Sequence, residues 1–458
     1  MTFSRIILPT LGLLHAFLLV QATNSIIQYP VDFPDPKFIA TSKFGPQFNG
    51  AKATIIAWAE AMASYGPWSV TNKPVIAPSG DKHDYMSWAP YQWPDCSNVK
   101  NTTALSLADE SKQCNFVYRD GQVNPERSVI QDFQSFFNLS NAVLYNSIAA
   151  VLQNKTSSVY SKNVAKFVDT WFLDAATGMN PNLNYAQMGR GPNGQFGAYT
   201  GVLDLRGFAM IASGILMLRT SHNADWTAEL DSKFVDWCTK YINWLDTAPN
   251  GQQAAHSTNN HGTIFVNQYA ALKLIAGDKA GAVNWTTNYF SGRFQHQVNS
   301  SGDQPEEAGR TRPFHYRNFN IAGMITNARL LSYADPSSKP WNATADGATI
   351  QTTVDLLMTT NPSATGEADI QREIYPNVAA VASIYGDPSG KYVGYLNKTG
   401  FPYADEPTFL WSQPLAGGDT LGEDTKPKPK NSANAVGVEY LLHAAGVLGA
   451  SFLGFQLL

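Results

Sequence analysis

The sequence predicts an all-α protein, and three observations carry that prediction. Apolar residues recur at three- and four-residue intervals through most of residues 48–383, strand-like alternation is scarce, and the connections between helical runs are modest. At 44 % apolar, the 458-residue chain has enough such residues for a sizeable core. A bundle, a solenoid and a ring of helical hairpins all satisfy this pattern. No repeat of fixed length is visible, which disfavours a solenoid of closely similar units but leaves divergent hairpins open.

In chain order, residues 1–22 read as a secretory signal: Arg5 supplies positive charge, residues 6–20 are mostly apolar, and Val20-Gln21-Ala22 has the small-residue form of a cleavage site. The apolar stretch is short for a membrane span. Seven glycosylation sequons, at Asn101, Asn138, Asn154, Asn284, Asn299, Asn342 and Asn397, agree with secretion. A helical run over 48–64 ends at Gly66-Pro67. Residues 69–96 form a long loop rich in proline and aromatics that holds Lys82, His83, Asp84 and Tyr85, and loops of this length usually carry function.

Cys96 and Cys114 flank a polar segment containing the Asn101 sequon, and in an oxidising compartment they are expected to pair. Closing that loop contributes about 3 kcal/mol in the chain-entropy account. Cys238, inside the helical run FVDWCTKYINWL, is left as a buried thiol. Further helical runs cover 125–153, 157–175, 202–220, 225–246, 263–276, 280–294, 318–333, 349–359 and 370–383. Between two of them, glycine, asparagine and proline make 177–201 irregular, with Asn182, Tyr185, Gln187 and Arg190 placed to line a cleft. No domain boundary is visible from 23 to 415. Residues 416–435 read as a linker alternating lysine with proline, and the apolar tail 436–458 follows the small residues Asn431-Ser432-Ala433, the order of a glycolipid-anchor signal. A docked terminal helix is the alternative, since Glu439 and His443 interrupt the tail.

Composition narrows the function. A net charge of −4 gives no electrostatic case for nucleic acid, and a low charged fraction (15 %) with many aromatics suits carbohydrate contact. His83, His261 and His315 come without HxxxH or CxxC spacing, so no metal is expected. No GxSxG elbow, no GKS or GKT, and no GxGxxG placed between a strand and a helix is read, so neither a serine nucleophile nor a nucleotide cofactor is called for.

The polar chemistry gathers in two stretches. Asn259, Asn260 and His261 precede a run in which Ile264, Phe265, Tyr269, Leu272 and Leu274 fall at helical spacing, so the polar trio caps a helix. About fifty residues on, Arg310, Arg312, His315, Tyr316 and Arg317 crowd a segment broken by Pro313, ahead of a helical run starting near Phe319. Loops rich in amide, imidazole, guanidinium and phenol at helix starts make a pocket for an anion. For a polyuronate, β-elimination requires loss of the C5 proton beside a carboxylate whose charge opposes a carbanion. Asn260 and His261 can hydrogen-bond that carboxylate, Arg310 can add positive charge, and Tyr316 is the candidate base and acid. Taken alone, His261 reads equally as a capping or core histidine, and Tyr316 reads more readily as a packed residue than as a catalytic one. Lys82, His83, Tyr85, Tyr185, Gln187, Asn259, Arg312 and His315 are the accompanying candidates for substrate contact.

These residues resemble a known family, the polysaccharide lyases of the alginate-lyase type. NNHG at residues 259–262 and RTRPFHYRNFN at 310–320 look like its two motifs, and SGDKHDYMSWAPYQWPD at 79–95, RDGQVNPE at 119–126 and MNPNLNYAQ at 179–187 look like its hallmarks. The resemblance reaches to about Gln413. It implies an (α/α) toroid, or incomplete barrel of helical hairpins, and cleavage of a uronan without a cofactor. By the same resemblance Asn260 and His261 neutralise the carboxylate, Arg310 stabilises charge, with Arg312 as the alternative arginine, and Tyr316 acts as base and acid. The family often has Trp-Tyr after NNHG where this chain has Ile264-Phe265, and the Cys96–Cys114 loop looks like an insertion. Two other readings stay open: an inverting glycoside hydrolase, for which Glu306, Glu307 and Asp84 are available carboxyls, and a surface-anchored glycan-binding protein without catalysis. Which uronan is cut, endo or exo action, and oligomeric state are not legible.

Overall fold

The computed structural model describes residues 31–100, 105–399 and 403–412. The expected signal, linker and lipid-anchor segments lie outside these residues. Seventeen helices are described: α1 Pro36–Thr41, α2 Asn49–Tyr65, α3 Leu107–Gln113, α4 Asp132–Leu152, α5 Val159–Val168, α6 Phe208–Thr220, α7 Ala228–Thr247, α8 Pro249–Ala255, α9 Asn260–Ile275, α10 Lys279–Asn288, α11 Phe294–Gln297, α12 Pro305–Ala308, α13 Pro313–Ala334, α14 Ile350–Thr359, α15 Tyr375–Tyr385, α16 Lys391–Lys398 and α17 Pro407–Trp411.

Their packing makes a ring. Helix α2 packs on α4, α4 on α6, α6 on α9, α9 on α13, α13 on α15 and α15 on α17, which returns to α2. A second layer lies outside it, with α5 on α4, α7 on α9, α10 on α9 and α13, α14 on α13 and α15, and α16 on α15. Burial separates the layers: 14 of the 16 residues of α9 are buried against 6 of the 20 in α7. Inner helices are therefore buried nearly all round, while outer ones bury a single stripe. Of the three architectures compatible with the periodicity, the protein takes the all-α toroid. The stretch Tyr199–Thr220 is long and apolar enough to cross a membrane, but its apolar window is wholly buried inside the ring.

Polar groups inside the ring pair with one another. Asn267 donates to the Gly323 carbonyl at 2.9 Å and to Asn327 at 2.6 Å, tying α9 to α13. Gly323 is needed there, because a Cβ would stand 2.8 Å from the Thr263 methyl. Close approach of these two helices brings their N-termini to one rim.

That rim carries the few strands. Strand β1 (Met86–Trp88) pairs in parallel with β4 (Tyr185–Met188), and β2 (Gln92–Asp95) pairs antiparallel with β3 (Asn115–Tyr118), Gln92 opposite Tyr118. Cys96 and Cys114 are joined, and the disulfide closes the β2–β3 ladder just beyond Asp95 and Asn115. Cys238 is a buried free thiol. Of the sequons, Asn154, Asn284, Asn342 and Asn397 are exposed, Asn138 and Asn299 are half-buried, and Asn101 lies outside the described residues.

Several boundaries differ from expectation. Pro313 does not break the second polar stretch. It is the first residue of α13, where its missing N–H has no partner to lose, so His315, Tyr316 and Arg317 sit in the first helical turns. Helix α9 likewise starts at Asn260, with Asn259 as its cap accepting from the His261 N–H at 3.1 Å.

Candidate active site

A cleft of about 540 Å³ opens on the rim, lined by residues from α9, α13, the β2–β3 hairpin and the loop after β4. Asn260, His261, Arg310 and Tyr316 all line it. Asn260 is fixed from behind by Glu307, a buried residue of α12: one carboxylate oxygen accepts the Asn260 backbone N–H at 2.8 Å and the other accepts its side-chain amide at 2.7 Å. An amide carries two N–H donors, so one remains beside the cleft. Burial pushes the Glu307 carboxyl up, and the two bonds from Asn260 oppose this.

His261 is half-buried with its ring edge-on to Tyr199, centroids 5.7 Å apart, and its Nδ1 has no hydrogen-bond partner. Burial first, and the Arg310 charge second, lower its pKa to about 4, so the imidazole is neutral at neutral pH.

Arg310 is held by Asp120, with Nη2 donating to Oδ1 at 2.7 Å and Nε to Oδ2 at 3.3 Å. Its guanidinium lies 3.7 Å from the centre of the Tyr316 ring. Burial alone would raise the Asp120 carboxyl, but the Arg310 bond and charge, with bonds from Thr311 and Tyr118, hold it at about 2. Tyr316 is 5 % exposed and its hydroxyl lies 2.5 Å from that of Tyr91. Burial first, then the Tyr91 phenol, raise the Tyr316 pKa well above the usual value, and Arg310 pulls it back only in part. Tyr91 meets the Tyr118 ring edge-on at 5.8 Å, and the Tyr118 hydroxyl donates to Asp120 at 3.0 Å.

The floor is built on a fully buried carboxylate. Asp204 accepts from Gln187 at 2.9 Å and Tyr85 at 3.1 Å, and also from Ser87, with Arg127 3.6 Å away. Arg206 lies against Phe133, Phe137 and Phe319, and burial lowers its pKa to about 10. At the start of α13, Glu367 accepts the backbone N–H groups of Phe314 and His315, both at 3.0 Å, orienting the turn that carries Tyr316.

The structure brings some sequence candidates together and separates others. Gln187 and His315 line the cleft, though His315 Nδ1 is engaged by Glu373 at 2.9 Å. Asn259 acts as a helix cap outside the cleft lining. Tyr85 is fully buried with its hydroxyl on Asp204 and cannot reach a substrate. Lys82 is exposed away from the cleft, His83 bonds the Gly178 carbonyl at 2.7 Å, and Tyr185 pairs with Met86 in the β1–β4 ladder. Arg312 turns toward Glu367, 4.0 Å away, so of the two arginines only Arg310 faces the cleft. Arg190 is sandwiched between Trp88 and Phe116, and Asn182 bonds Asp84.

Tyr91, Tyr118, Asp120 and Glu307 form the setting of these groups and were not read as such. Tyr91 and Asp120 lie inside the two quoted loop motifs, which was the available signal; their partners depend on the fold. Gly189, Gly191 and Gly194 have G-x-G-x-x-G spacing after β4, contrary to expectation. Their amides are taken, Gly189 by Phe196, Gly191 by Ser111 and Gly194 by Gly191, so the loop is a hairpin and not a phosphate cradle. Among the described residues no aspartate or glutamate lines the cleft, and none form a cluster able to hold a metal.

No curated protein matches the chain by sequence. Among solved structures it is similar to an alginate lyase from Bacteroides ovatus, at 26 % identity and a TM-score of 0.69 over 82 % of this chain and 96 % of that one. The sequence profile of the alginate lyase family matches residues 69–366, a span that includes α9, the start of α13 and both strand pairs. With every cleft-lining residue inside that span, the chain belongs to the alginate lyase family and is a polysaccharide lyase, an enzyme acting on carbon–oxygen bonds.

Proposed function

We propose that the enzyme cleaves a polyuronate by β-elimination, leaving unsaturated uronate ends. The observation that carries this is the cleft lining: Asn260, His261, Arg310 and Tyr316 face one space in which no carboxylate stands among the described residues. The substrate carboxylate binds to the free Asn260 amide proton, the His261 imidazole and the Arg310 guanidinium. As the C5 proton leaves, charge grows on that carboxylate, and donors already aimed at it stabilise the enediolate more than the ground state. Tyr316 as phenolate takes the C5 proton, the C5 electron pair forms the C4–C5 double bond, and the C4–O4 bond breaks. The resulting Tyr316 phenol gives its proton to the leaving O4, which restores the phenolate.

Burial holds Tyr316 protonated. The reactive phenolate is therefore a minority form that the Arg310 charge favours. A second reading follows from the same fact: neutral His261, with Nδ1 unpartnered, takes the C5 proton and Tyr316 serves only as the acid. The pH profile separates the two, since a phenolate base makes activity climb with pH into the alkaline range and an imidazole base leaves it flat there.

A hydrolase needs two carboxyls flanking the bond. Glu307 is engaged by Asn260, Glu306 bonds Thr258 at 3.2 Å, and Asp84 is held by Ser79, Asn180 and Asn182, all outside the cleft lining. Mass analysis of products from a panel of uronans tests the reading: unsaturated ends support it, hydrated ends favour a hydrolase, and absence of cleavage favours a binder. Residues 23–415 would form the catalytic domain of a secreted glycoprotein, carried on the 416–435 linker, with the 436–458 tail exchanged for a glycolipid near Asn431. Phospholipase release from cell membranes supports that anchor, and recovery of peptides from 447–458 in the mature protein opposes it.

A further inference from the structure

Of the aromatic side chains that stand strongly exposed among the described residues, Tyr65, Tyr118 and Phe196, two line this cleft. Phe196 is 74 % exposed and Tyr118 67 %. Both belong to elements held in place by the Cys96–Cys114 disulfide and by Ser111 just before Cys114. Tyr118 ends β3, the strand that begins just after Cys114. Phe196 sits on the hairpin after β4, where the Phe196 carbonyl accepts the Gly189 N–H at 3.0 Å and Gln195 adopts a φ of 74°. That hairpin leans on the disulfide segment through two bonds to the Ser111 carbonyl, from the Gly191 N–H at 2.7 Å and the Gln195 side chain at 3.2 Å. Gly191, at a φ of 96°, permits the approach, since a Cβ would stand 2.8 Å from the Cys114 carbonyl. Below it Arg190 packs its guanidinium on Phe116 of β3, 4.2 Å from the ring centre. By contrast, Ile264 and Phe265, which follow the Asn-His pair, are buried core and offer the cleft no ring.

We propose that the Cys96–Cys114 disulfide, with Ser111 and strand β3 beside it, is the scaffold of an aromatic sugar subsite, formed by Phe196 and Tyr118, which binds a pyranose ring next to the uronate being cleaved. An exposed ring on a braced backbone presents an apolar face at little entropic cost, and sugar C–H faces pack on such rings. The proposal rests on the polyuronate reading of the cleft. Its occupant is a neighbouring residue of the same polymer, so its effect grows with fragment length.

The test measures calorimetric binding and cleavage of uronate oligosaccharides of increasing length by the full chain. Phe196→Ala weakens binding of the longer fragments by about 3- to 10-fold and raises KM in step, with the loss falling on KM rather than kcat. Phe196→Tyr restores binding to within about twofold, since the ring face is kept. The Cys96→Ala/Cys114→Ala variant, with its melting transition checked, moves toward Phe196→Ala on long fragments. Equal binding by wild type and Phe196→Ala at every length overturns the subsite even where wild type forms unsaturated product. A wild type that forms no such product, but still loses fragment binding with Phe196, overturns the lyase reading and keeps the subsite. Binding of no fragment by either protein overturns both.

Discussion

Replacing Tyr316 by phenylalanine is the sharpest perturbation of the site, because it removes one oxygen and leaves the ring. Arg310, 3.7 Å from the ring centre, keeps its stacking partner and its Asp120 bonds, so the carboxylate-binding face should persist. Lost is the group that moves the proton, worth about 10² to 10⁴ in rate and toward the upper end for a residue used in both steps. The same change leaves the Tyr91 hydroxyl without its partner at 2.5 Å in a residue only 8 % exposed. An orphaned buried hydroxyl costs about 1–3 kcal/mol. Tyr91→Phe should cost a similar amount in stability. Removing both hydroxyls leaves no orphan, so the double variant should be more stable than the sum of the two single losses predicts. The assay pairs turnover, followed by ultraviolet absorbance of the unsaturated product, with denaturant midpoints for all four proteins. A folded Tyr316→Phe that keeps more than about a tenth of wild-type turnover refutes the base assignment. Stability losses that simply add refute the hydroxyl pair.

The other expectations rest on neighbouring groups. Because the Tyr316 pKa lies above its usual value, kcat/KM should climb about tenfold per pH unit from neutral into the alkaline range, and a profile flat there moves the base to His261. Glu307→Gln replaces one of two acceptors by a donor, so Asn260 loses its fixed orientation; kcat/KM should fall about 10- to 100-fold with the melting temperature little changed beside Glu307→Ala, and an unchanged rate would show that Asn260 needs no such support. Acid stability follows from two lowered pKa values, one on a base and one on an acid. His261, lowered to about 4, binds its proton in the unfolded chain first, so stability falls as pH drops from about 6.5 to 4, and His261→Gln should flatten that window in denaturant titrations. Asp120, held at about 2, contributes stability present above about 4 and lost as pH falls through 2, amounting to at most about 2 kcal/mol because the pair is partly exposed; an Asp120→Asn variant equal in stability to wild type at pH 7 would contradict it.

What could be read from the sequence was local, and what could not was the result of folding back. The capping trio at α9 and the apolar periodicity of α4, α6 and α9 were legible because each depends on residues a few positions apart. Pro313 was misread because proline opens a helix as readily as it ends one, and only the course of the chain decides. Tyr85 looked like a contact because it stands beside charged residues in a long loop, yet its hydroxyl closes on Asp204, 119 positions away in the chain. Tyr91 and Tyr316 are 225 positions apart, and nothing local to Tyr91 marks it as the partner of a proton-handling phenol. The choice of a ring over a bundle likewise rests on α17 meeting α2, a contact between the two ends of the described fold.

The placing of the carboxylates gives the site its logic. Glu307 stands behind Asn260, Asp120 behind Arg310, Glu367 behind the turn bearing Tyr316, and Asp204 under the floor. In the proposed reaction, a carboxylate in the cleft itself would repel the uronate and oppose the charge that grows as C5 loses its proton. Set one layer back, Glu307 and Asp120 fix the directions of the Asn260 and Arg310 donors that line the cleft. The Arg310 charge is already partly balanced by Asp120, so attraction of the polymer rests less on net charge than on oriented N–H groups. Oriented donors discriminate between ground state and enediolate, whereas a bare excess of positive charge would hold the carboxylate product as firmly as the substrate. A cleft of amide, imidazole, guanidinium and phenol backed by buried carboxylates therefore suits an elimination that must stabilise an anion briefly and then release one.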